Sequence, residues 1–312
     1  MIGQFTRSIP IMGTIVTIGI VRDAVTDDPV RQSAADHPFV AATDRACEWF
    51  REIERLCNRF DPASELRQLS ARTGEPLAVS EILYTLVEFA LAVADETDGA
   101  FDPTVGHEMQ ARGFNRDYRT GRAADSPAGA DGPVSFRDLH LDRGDRSITL
   151  RRPLVLDLGA VAKGLAIDLA AQELRAFRNF AIDAGGDLYL AGRNPAGGPW
   201  TVGIRHPRQD REVIGTITVS DRAVCTSGDY ERPGHIVDPR RADAGGAVAS
   251  LSATVVAPTA MLADALATAA FVLGPRDGIE LLERHTVDGL IVSPSLERFT
   301  TRGLARAFLP NS

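Results

Sequence analysis

The stretch around residue 159 constrains the fold of this chain more than any other. An apolar run over 155–158 predicts a buried strand, and an alanine- and leucine-rich run over 162–176 predicts a helix after a glycine turn. Such a helix presents free backbone N–H groups and the positive end of its dipole, and Lys163 adds a charge there. The pattern predicts either a phosphate-binding turn, with Asp157 at its edge, or a strand and helix that only pack together.

Charge and composition exclude some classes of function. The 312-residue chain has a formal net charge of -8, whereas nucleic-acid-binding proteins present a basic surface, so we expect no nucleic-acid partner. The three cysteines form no CxxC pair or Cys/His cluster, which argues against a zinc site. Neither a membrane-spanning run nor a signal peptide is present, so no membrane insertion and a cytoplasmic location are expected, or export if a leader has been trimmed.

The spacing of apolar residues predicts an α+β fold. Ser64 and Ser80 are suitable N-caps for two of the helices. Helices are predicted over 39–60, 64–71, 80–98, 162–176, 259–273 and 277–284. Strands are predicted over 9–21 with a kink at Gly13, in hairpins over 139–150 and 180–192, and over 200–205, 213–219, 253–256, 290–292 and 298–301. No boundary divides the chain, so residues 1–312 are predicted to form a single domain with loop-rich insertions at about 22–38 and 117–133.

The predicted helix over 259–273 carries a candidate metal site. Asp264 and Thr268 are spaced i, i+4 among alanines, away from the apolar stripe of Leu262, Leu266, Ala269 and Leu273. Hard oxygen ligands with small neighbours suit Mg²⁺ bound together with phosphates, because Mg²⁺ then needs few protein ligands. The alternative is an exposed acid beside a solvated threonine.

Three other polar motifs are candidates for a functional role. His235 precedes an apolar pair, and it is either a general base or phosphate contact, or a histidine that caps a turn. Asp183 and Asp187 flank two glycines, in a loop under a cofactor or in a tight β-turn. Ser227 lacks a surrounding G-x-S-x-G pattern, which argues against a serine hydrolase.

Eight motifs occur along the chain in a fixed order, and their order is more informative than any one of them. They lie at 12–14 (MGT), 59–66 (RFD with SEL), 99–106 (GAFDPTVG), 157–164 (DLGAVAKG), 184–187 (AGGD), 226–230 (TSGDY), 235–239 (HIVDP) and 257–269 (APT with ADALATA). In this order the chain resembles the ApbE family, the FAD:protein FMN transferases. The resemblance spans roughly residues 10 to 293. The sequence departs from the family at Arg240-Arg241 and at His107-Glu108.

The resemblance implies a T-fold-like ApbE architecture, with mixed or antiparallel sheets and long helices packed on them. It implies a transferase that joins FMN from FAD, its substrate, to a Thr or Ser of an acceptor flavoprotein carrying a flavinylation motif, with Mg²⁺ bound and AMP released. Carried over by motif, the FAD contacts are Met12, Phe60, Ala100, Phe101, Asp102, Asp157, Lys163 and Ile236. The Mg²⁺ ligands are the Ala160 carbonyl, Asp264 and Thr268, and His235 is tied to transfer.

Two alternative functions use the same residues. An Mg²⁺-dependent FAD pyrophosphatase would use water in place of the acceptor hydroxyl and release free FMN and AMP. A non-catalytic FAD-binding protein would bind FAD without turnover. The sequence does not identify the acceptor.

Overall fold

An eight-stranded antiparallel sheet with helices on one face forms the centre of the fold. The computed structural model describes residues 4–21, 38–123, 132–209, 211–230, 232–241 and 249–310. Most of the insertion predicted at about 22–38, and residues 124–131 of the one at 117–133, lie outside the described residues. Within the described segments, no helix is both long and apolar enough to cross a membrane.

Helices and strands are interspersed along the chain. The helices are α1 (Pro38–Cys57), α2 (Glu65–Ser70), α3 (Glu81–Glu96), α4 (Gly106–Ala111), α5 (Gly159–Leu174), α6 (Ala260–Leu273) and α7 (Pro275–Arg284). The strands are β1 (Gln4–Ile11), β2 (Thr14–Val21), β3 (Leu77–Ala78), β4 (Leu139–Asp142), β5 (Ser147–Leu150), β6 (Phe180–Ala184), β7 (Asp187–Ala191), β8 (Trp200–Arg205), β9 (Val213–Val219), β10 (Arg222–Gly228), β11 (Ser252–Ala257), β12 (Asp288–Val292), β13 (Arg298–Thr300) and β14 (Leu309–Pro310). Short 3-10 helices lie at Phe136–Asp138, Arg175–Phe177, Pro239–Arg241 and Leu304–Arg306.

The central sheet has different neighbours on its two faces. Its strands run in the order β1-β2-β6-β7-β10-β11-β12-β13, and each pair is antiparallel. Along β10 and β11, Cys225 and Val255 belong to the main apolar core with the helices, whereas Val224 and Val256 belong to a second core with the small sheet β14-β9-β8. Side chains alternate between faces along a strand, so the two cores lie on opposite sides of the sheet. The predicted α+β class is confirmed.

The observed helix caps and hairpins confirm several local predictions. Ser64 accepts a hydrogen bond from the N–H of Arg67 at 3.1 Å, and Ser80 accepts one from the N–H of Leu83 at 3.2 Å, so both serines are N-caps as predicted. Gly99, with φ of 74°, follows the end of α3. The hairpins over 139–150 and 180–192 are present as β4–β5 and β6–β7.

The predicted strand over 9–21 is wrong, because the chain reverses in its middle. Met12 and Gly13 both have positive φ, of 52° and 72°, and they form a two-residue turn between β1 and β2. Two successive positive φ values match the turn that suits the right-handed twist of a hairpin. The glycine at 13 therefore marks a reversal of the chain and not a kink.

The stretch before α5 also differs from its prediction. Residues 155–158 form no strand, and Val155 makes only an isolated parallel bridge with Val105. Helix α5 begins at Gly159 and not at 162, so the predicted glycine turn is the first turn of the helix. The segment before α5 is still anchored to the segment before α4, because the N–H of Asp157 donates to the carbonyl of Pro103 at 2.8 Å.

Two polar segments are more buried than one interpretation of their sequences suggests. The alternative of an exposed acid at Asp264 is wrong, because α6 is enclosed and Asp264 is only 6% exposed. The loop at 117–133 was expected to be exposed along its length, but Asp117 is 6% exposed. Its carboxylate accepts hydrogen bonds from the N–H groups of Arg119 and Thr120, which builds a tight turn from this part of the loop.

Helices α5 and α6 approach each other closely at Gly164. A Cβ placed on Gly164 would lie 2.4 Å from Cα of Met261, so only glycine allows this separation. One turn further along α5, the carboxylate of Asp168 accepts hydrogen bonds from the N–H groups of Ala260 at 2.7 Å and Met261 at 3.0 Å. Those are the first two N–H groups of α6, which lack partners within the helix. The two helices are therefore fixed in register.

Replacing Gly164 tests this register. In Gly164→Ala the new methyl group would have to displace the backbone of Met261, so we expect the free energy of unfolding in urea to fall by about 1–3 kcal/mol, although alanine favours helix. The matched control is Gly198→Ala, where the nearest atom to the new Cβ is 4.0 Å away. Equal stability of the two variants would contradict the close contact.

Candidate active site

The first residues of α5 are held by two charged side chains. Asp157 accepts a hydrogen bond from the N–H of Gly159 at 2.8 Å through one carboxylate oxygen. Its other oxygen lies 2.8 Å from Nε of Arg59, which is itself only 8% exposed. The Arg59 guanidinium also lies over the ring of Phe60, at 4.2 Å from its centroid. Two predicted FAD contacts, Asp157 and Phe60, are therefore brought together by an arginine.

Lys163 is paired with a buried carboxylate. Its Nζ forms an ion pair with Asp187, which is 3% exposed and also accepts a hydrogen bond from the N–H of Thr226 at 3.3 Å. Burial opposes the charge of Lys163, but Asp187 and Asp264 outweigh it and raise the pKa of the lysine. Lys163 therefore stays charged, as a fixed cation between two carboxylates.

Asp264 has a carboxylate oxygen without a partner. Among the described residues, its Oδ2 is buried and accepts no hydrogen bond. Burial raises the pKa of Asp264 to about 7, with a further rise from Asp187, while Lys163 opposes both effects. A buried carboxylate ionises readily only next to a cation, so this oxygen is suited to a metal ion.

The two other predicted Mg²⁺ ligands also offer oxygen atoms. Thr268 lies one turn along α6, and its hydroxyl is 3.0 Å from the hydroxyl of Ser227 at the end of β10. Ala160 lies in the first turn of α5, on the same face as Lys163. No group of three or more His, Cys, Asp or Glu side chains that could hold a metal is found in the described part of the chain. One carboxylate, one hydroxyl and one carbonyl suit Mg²⁺, which usually retains waters and phosphate ligands.

The ring of His235 has a defined tautomer. Its Nδ1 lies 2.7 Å from the carbonyl oxygen of Arg232, which can only accept, so Nδ1 donates its hydrogen and Nε2 is left as an acceptor. Burial lowers the pKa of His235, and the Arg232 carbonyl and Asp229 only partly oppose this effect. The imidazole is therefore neutral at pH 7, with a basic nitrogen available.

The segment that carries His235 is tied to the turn that carries Met12. The guanidinium of Arg232 donates to the carbonyl of Gly13 at 3.4 Å, and the N–H of Met12 donates to the Glu54 carboxylate at 2.9 Å. Ile236, the next residue after His235, packs against the main apolar core. The structure therefore brings Met12, His235 and Ile236 to the same end of the sheet.

The segment at residues 100–102 uses its side chains for packing. Ala100 and Phe101 are 1% and 4% exposed. The Asp102 carboxylate accepts hydrogen bonds from the N–H and hydroxyl of Thr104 and from the N–H of Phe136, and burial, which outweighs these bonds, raises its pKa. The N–H groups of Ala100 and Phe101 both donate to Thr97, so if this segment contacts FAD, as predicted, its backbone carbonyls are the main groups left for it.

Comparison with known proteins shows the family of this chain. The model of the ApbE family matches residues 12–291. This chain belongs to the ApbE family.

Individual ApbE-family relatives match along most of their lengths. An FAD:protein FMN transferase from Vibrio cholerae is 29% identical over 93% of this chain and 87% of the relative. One from Treponema pallidum is 30% identical over 93% of this chain and 85% of the relative. The crystal structure of an ApbE protein from Thermotoga maritima has a TM-score of 0.80 at 28% identity, covering 99% of this chain and 100% of that one. The flavin transferase ApbE from Vibrio cholerae has a TM-score of 0.81 at 25% identity, covering 98% and 99%.

Four residues that organise this ApbE site were not among the predicted site residues, although Asp187 was raised as part of a loop under a cofactor and Ser227 was discussed as a nucleophile. Arg59 and Asp187 hold the predicted contacts Asp157 and Lys163, and Ser227 bonds the predicted ligand Thr268. Asp168 fixes the start of α6. Three of them lie inside the motifs at 59–66, 184–187 and 226–230, which was the signal available. Asp168 has no such signal, because its partners are backbone N–H groups of another helix.

Asp264→Asn tests the unpaired carboxylate. The amide has nearly the same shape without the charge, so without Mg²⁺ the variant should be at least as stable as the wild type at pH 7. With millimolar Mg²⁺, the wild-type Tm should rise and that of the variant should not, because only the wild type gains stability from binding. Asp95→Asn, at an exposed position of α3, should behave like the wild type. A Tm rise in Asp264→Asn equal to that of the wild type would exclude Asp264 as a ligand.

Proposed function

We propose that this chain is an FAD:protein FMN transferase that joins FMN to a Thr or Ser side chain of an acceptor flavoprotein and releases AMP, with Mg²⁺ bound. Membership of the ApbE family and the names of its relatives support flavin transfer. The observation that carries the Mg²⁺ part is the buried, unpaired Oδ2 of Asp264. Lys163 balances part of the charge of Asp264 but leaves Oδ2 without a partner, and a pyrophosphate substrate would bring the remaining ligands for a metal ion at that oxygen.

The proposed metal site uses three oxygen ligands from two helices. Asp264, Thr268 and the backbone carbonyl of Ala160 would hold Mg²⁺; a carbonyl has two lone pairs, so a helical one can accept a second partner. When bound, Mg²⁺ would offset the negative charge that develops on the pyrophosphate as AMP leaves. The hydroxyl of Ser227 orients that of Thr268.

The proposed FAD site surrounds the start of α5. Lys163 contributes a cation that Asp187 holds in place, and the positive end of the α5 dipole would face the phosphates. Phosphoryl transfer depends mainly on positioning and charge neutralisation, and both are supplied by groups fixed before the substrate binds. The proposed FAD contacts are Met12, Phe60, Asp157, Lys163, Ile236 and the backbone of Ala100, Phe101 and Asp102.

His235 is the proposed general base. The acceptor hydroxyl oxygen forms a bond to the phosphorus of the FMN half, and the bond from that phosphorus to the bridging oxygen breaks. The hydroxyl proton passes to Nε2 of His235, which the hydrogen bond from Nδ1 to Arg232 leaves as the accepting nitrogen. AMP leaves with the bridging oxygen. The phosphoester therefore forms without any oxidation or reduction.

Mass spectrometry of candidate acceptors tests the proposed reaction. After incubation with FAD and Mg²⁺, the acceptor should gain the mass of one FMN on a Thr or Ser, with one AMP released per FMN joined. AMP release at the same rate with FAD alone would indicate a pyrophosphatase in place of a transferase. FAD binding with neither product would indicate a non-catalytic flavin-binding protein.

His235→Gln tests the general base. Removing such a base typically costs about 10²–10⁴-fold in rate, so we expect transfer to fall by that order while FAD binding is retained. In the wild type, the lowered pKa keeps the imidazole neutral at pH 7, so the rate should fall only when the pH drops below the ordinary histidine value of 6.5. This acidic limb should disappear in His235→Gln and remain in His140→Gln, which changes an exposed histidine. An unchanged acidic limb in His235→Gln would contradict the assignment.

A further inference from the structure

A cavity lies at the opposite end of α5 from the site described above. Its volume is about 490 Å³, and its walls come from the second half of α5, the start of β6, the end of β7, the turn between β9 and β10, and the residues before α6. Lys163 and Leu174, near the two ends of α5, are separated by roughly 16 Å at the rise of an α-helix. None of the proposed FAD or Mg²⁺ contacts lines this cavity.

Three arginines line the cavity in a chain with a net charge of -8. The side chains of Arg175 and Arg178 form no ion pair or hydrogen bond within the described segments. Arg193 donates to the carbonyl of Gly197 at 3.3 Å, which leaves most of its guanidinium donors available. Arginines that line one cleft without carboxylate partners are suited to a phosphate.

The two carboxylates in the wall have other partners. Asp168 accepts hydrogen bonds from the first two N–H groups of α6, and Asp221 accepts one from the N–H of Gly192 at 2.9 Å. Both therefore serve the backbone and do not neutralise the arginines by direct contact. The cavity keeps an excess of positive charge.

An aromatic side chain forms another part of the wall. The half-buried ring of Tyr189 is stacked on the buried ring of Phe180, with centroids 6.0 Å apart and an interplanar angle of 24°. Burial raises the pKa of Tyr189, with Asp221 and Asp168 adding to the rise and Arg175 opposing it, so the hydroxyl shares the cavity with these charges. A phosphate alone would leave this wall uncovered, whereas a ligand with a planar organic part would cover it.

The backbone at the rim is strained. Arg178 has φ of 57° and ψ of -43°, and the N–H of Asn179 donates to the carbonyl of Phe177 at 2.5 Å across it. This is a γ-turn with positive φ at its centre, which is rare and costly for a residue other than glycine. Asp221, on the other side of the cavity, also has positive φ, of 54°. Strained residues of this kind are concentrated at functional sites.

We propose that this cavity binds an organic phosphate of about mononucleotide size, with the phosphate on Arg175 and Arg178 and the organic part against Tyr189. The site is separate from the proposed FAD site and goes beyond the proposed reaction. The guanidinium groups account for the phosphate, and the aromatic wall and the volume account for the attached organic group.

Calorimetric titration of the full chain with AMP, in the presence of a chelator, tests the site. We expect one class of AMP sites whose Kd rises about tenfold in Arg178→Gly, because one charge-assisted hydrogen bond is lost. Glycine relieves the positive φ, so the midpoint of thermal unfolding of this variant should not fall. Arg146→Gly is the matched control, since Arg146 has φ of 53° in the turn between β4 and β5, and its AMP binding should match the wild type.

Two further measurements complete the test. Arg175→Ala, which does not depend on relief of strain, should also weaken AMP binding about tenfold. Adenosine and inorganic phosphate should each bind at least tenfold more weakly than AMP, because each lacks one half of the ligand. The proposal is overturned if AMP binds no more tightly than inorganic phosphate, or if Arg175→Ala and Arg178→Gly bind AMP as the wild type does.

Discussion

The contact between α5 and α6 is the constraint on which the rest of the structure depends. At Gly164 the two backbones are closer than any side chain would allow, and Asp168 holds the first N–H groups of α6 in place. This places Lys163 beside Asp264, although the two residues lie 101 positions apart in sequence. The same contact sets the distance between the start of α5 and the hydroxyl of Thr268. The candidate active site is therefore a consequence of one close helix packing.

The buried charged groups beside that contact lower the stability of the fold. Taking an ion out of water costs several kcal/mol even in a relaxed protein interior, and a buried pair regains this only with good geometry. Lys163 and Asp187 satisfy each other, but Asp264 retains a buried oxygen without a partner. A well-packed apolar residue at position 264 would give a more stable fold than Asp264 does. Its presence is consistent with selection for function at this position, because proteins tolerate such costs mainly at functional sites.

Local sequence patterns predicted most elements because their causes are local. Ser64 and Ser80 mark helix starts through bonds to the N–H groups three residues later, and the turn between β6 and β7 follows from two adjacent glycines. Errors arose where a pattern was ambiguous. The apolar run over 155–158 has the composition of a strand, but its backbone bonds to the segment before α4 and forms no sheet. The run over 9–21 contains a two-residue turn that only its backbone angles reveal.

Sequence alone determined the α+β class and the family, because apolar spacing and motif order are properties of the linear chain, and it supplied the predicted site residues as hypotheses. Tertiary structure alone decided that Asp264 is enclosed, that Lys163 is bound to Asp187, and that His235 presents Nε2 as its accepting nitrogen. It also decided that three arginines and a tyrosine share a cavity. Burial, ion pairing and tautomer depend on which distant segments meet, and a linear pattern carries no information about the electrostatic environment that results.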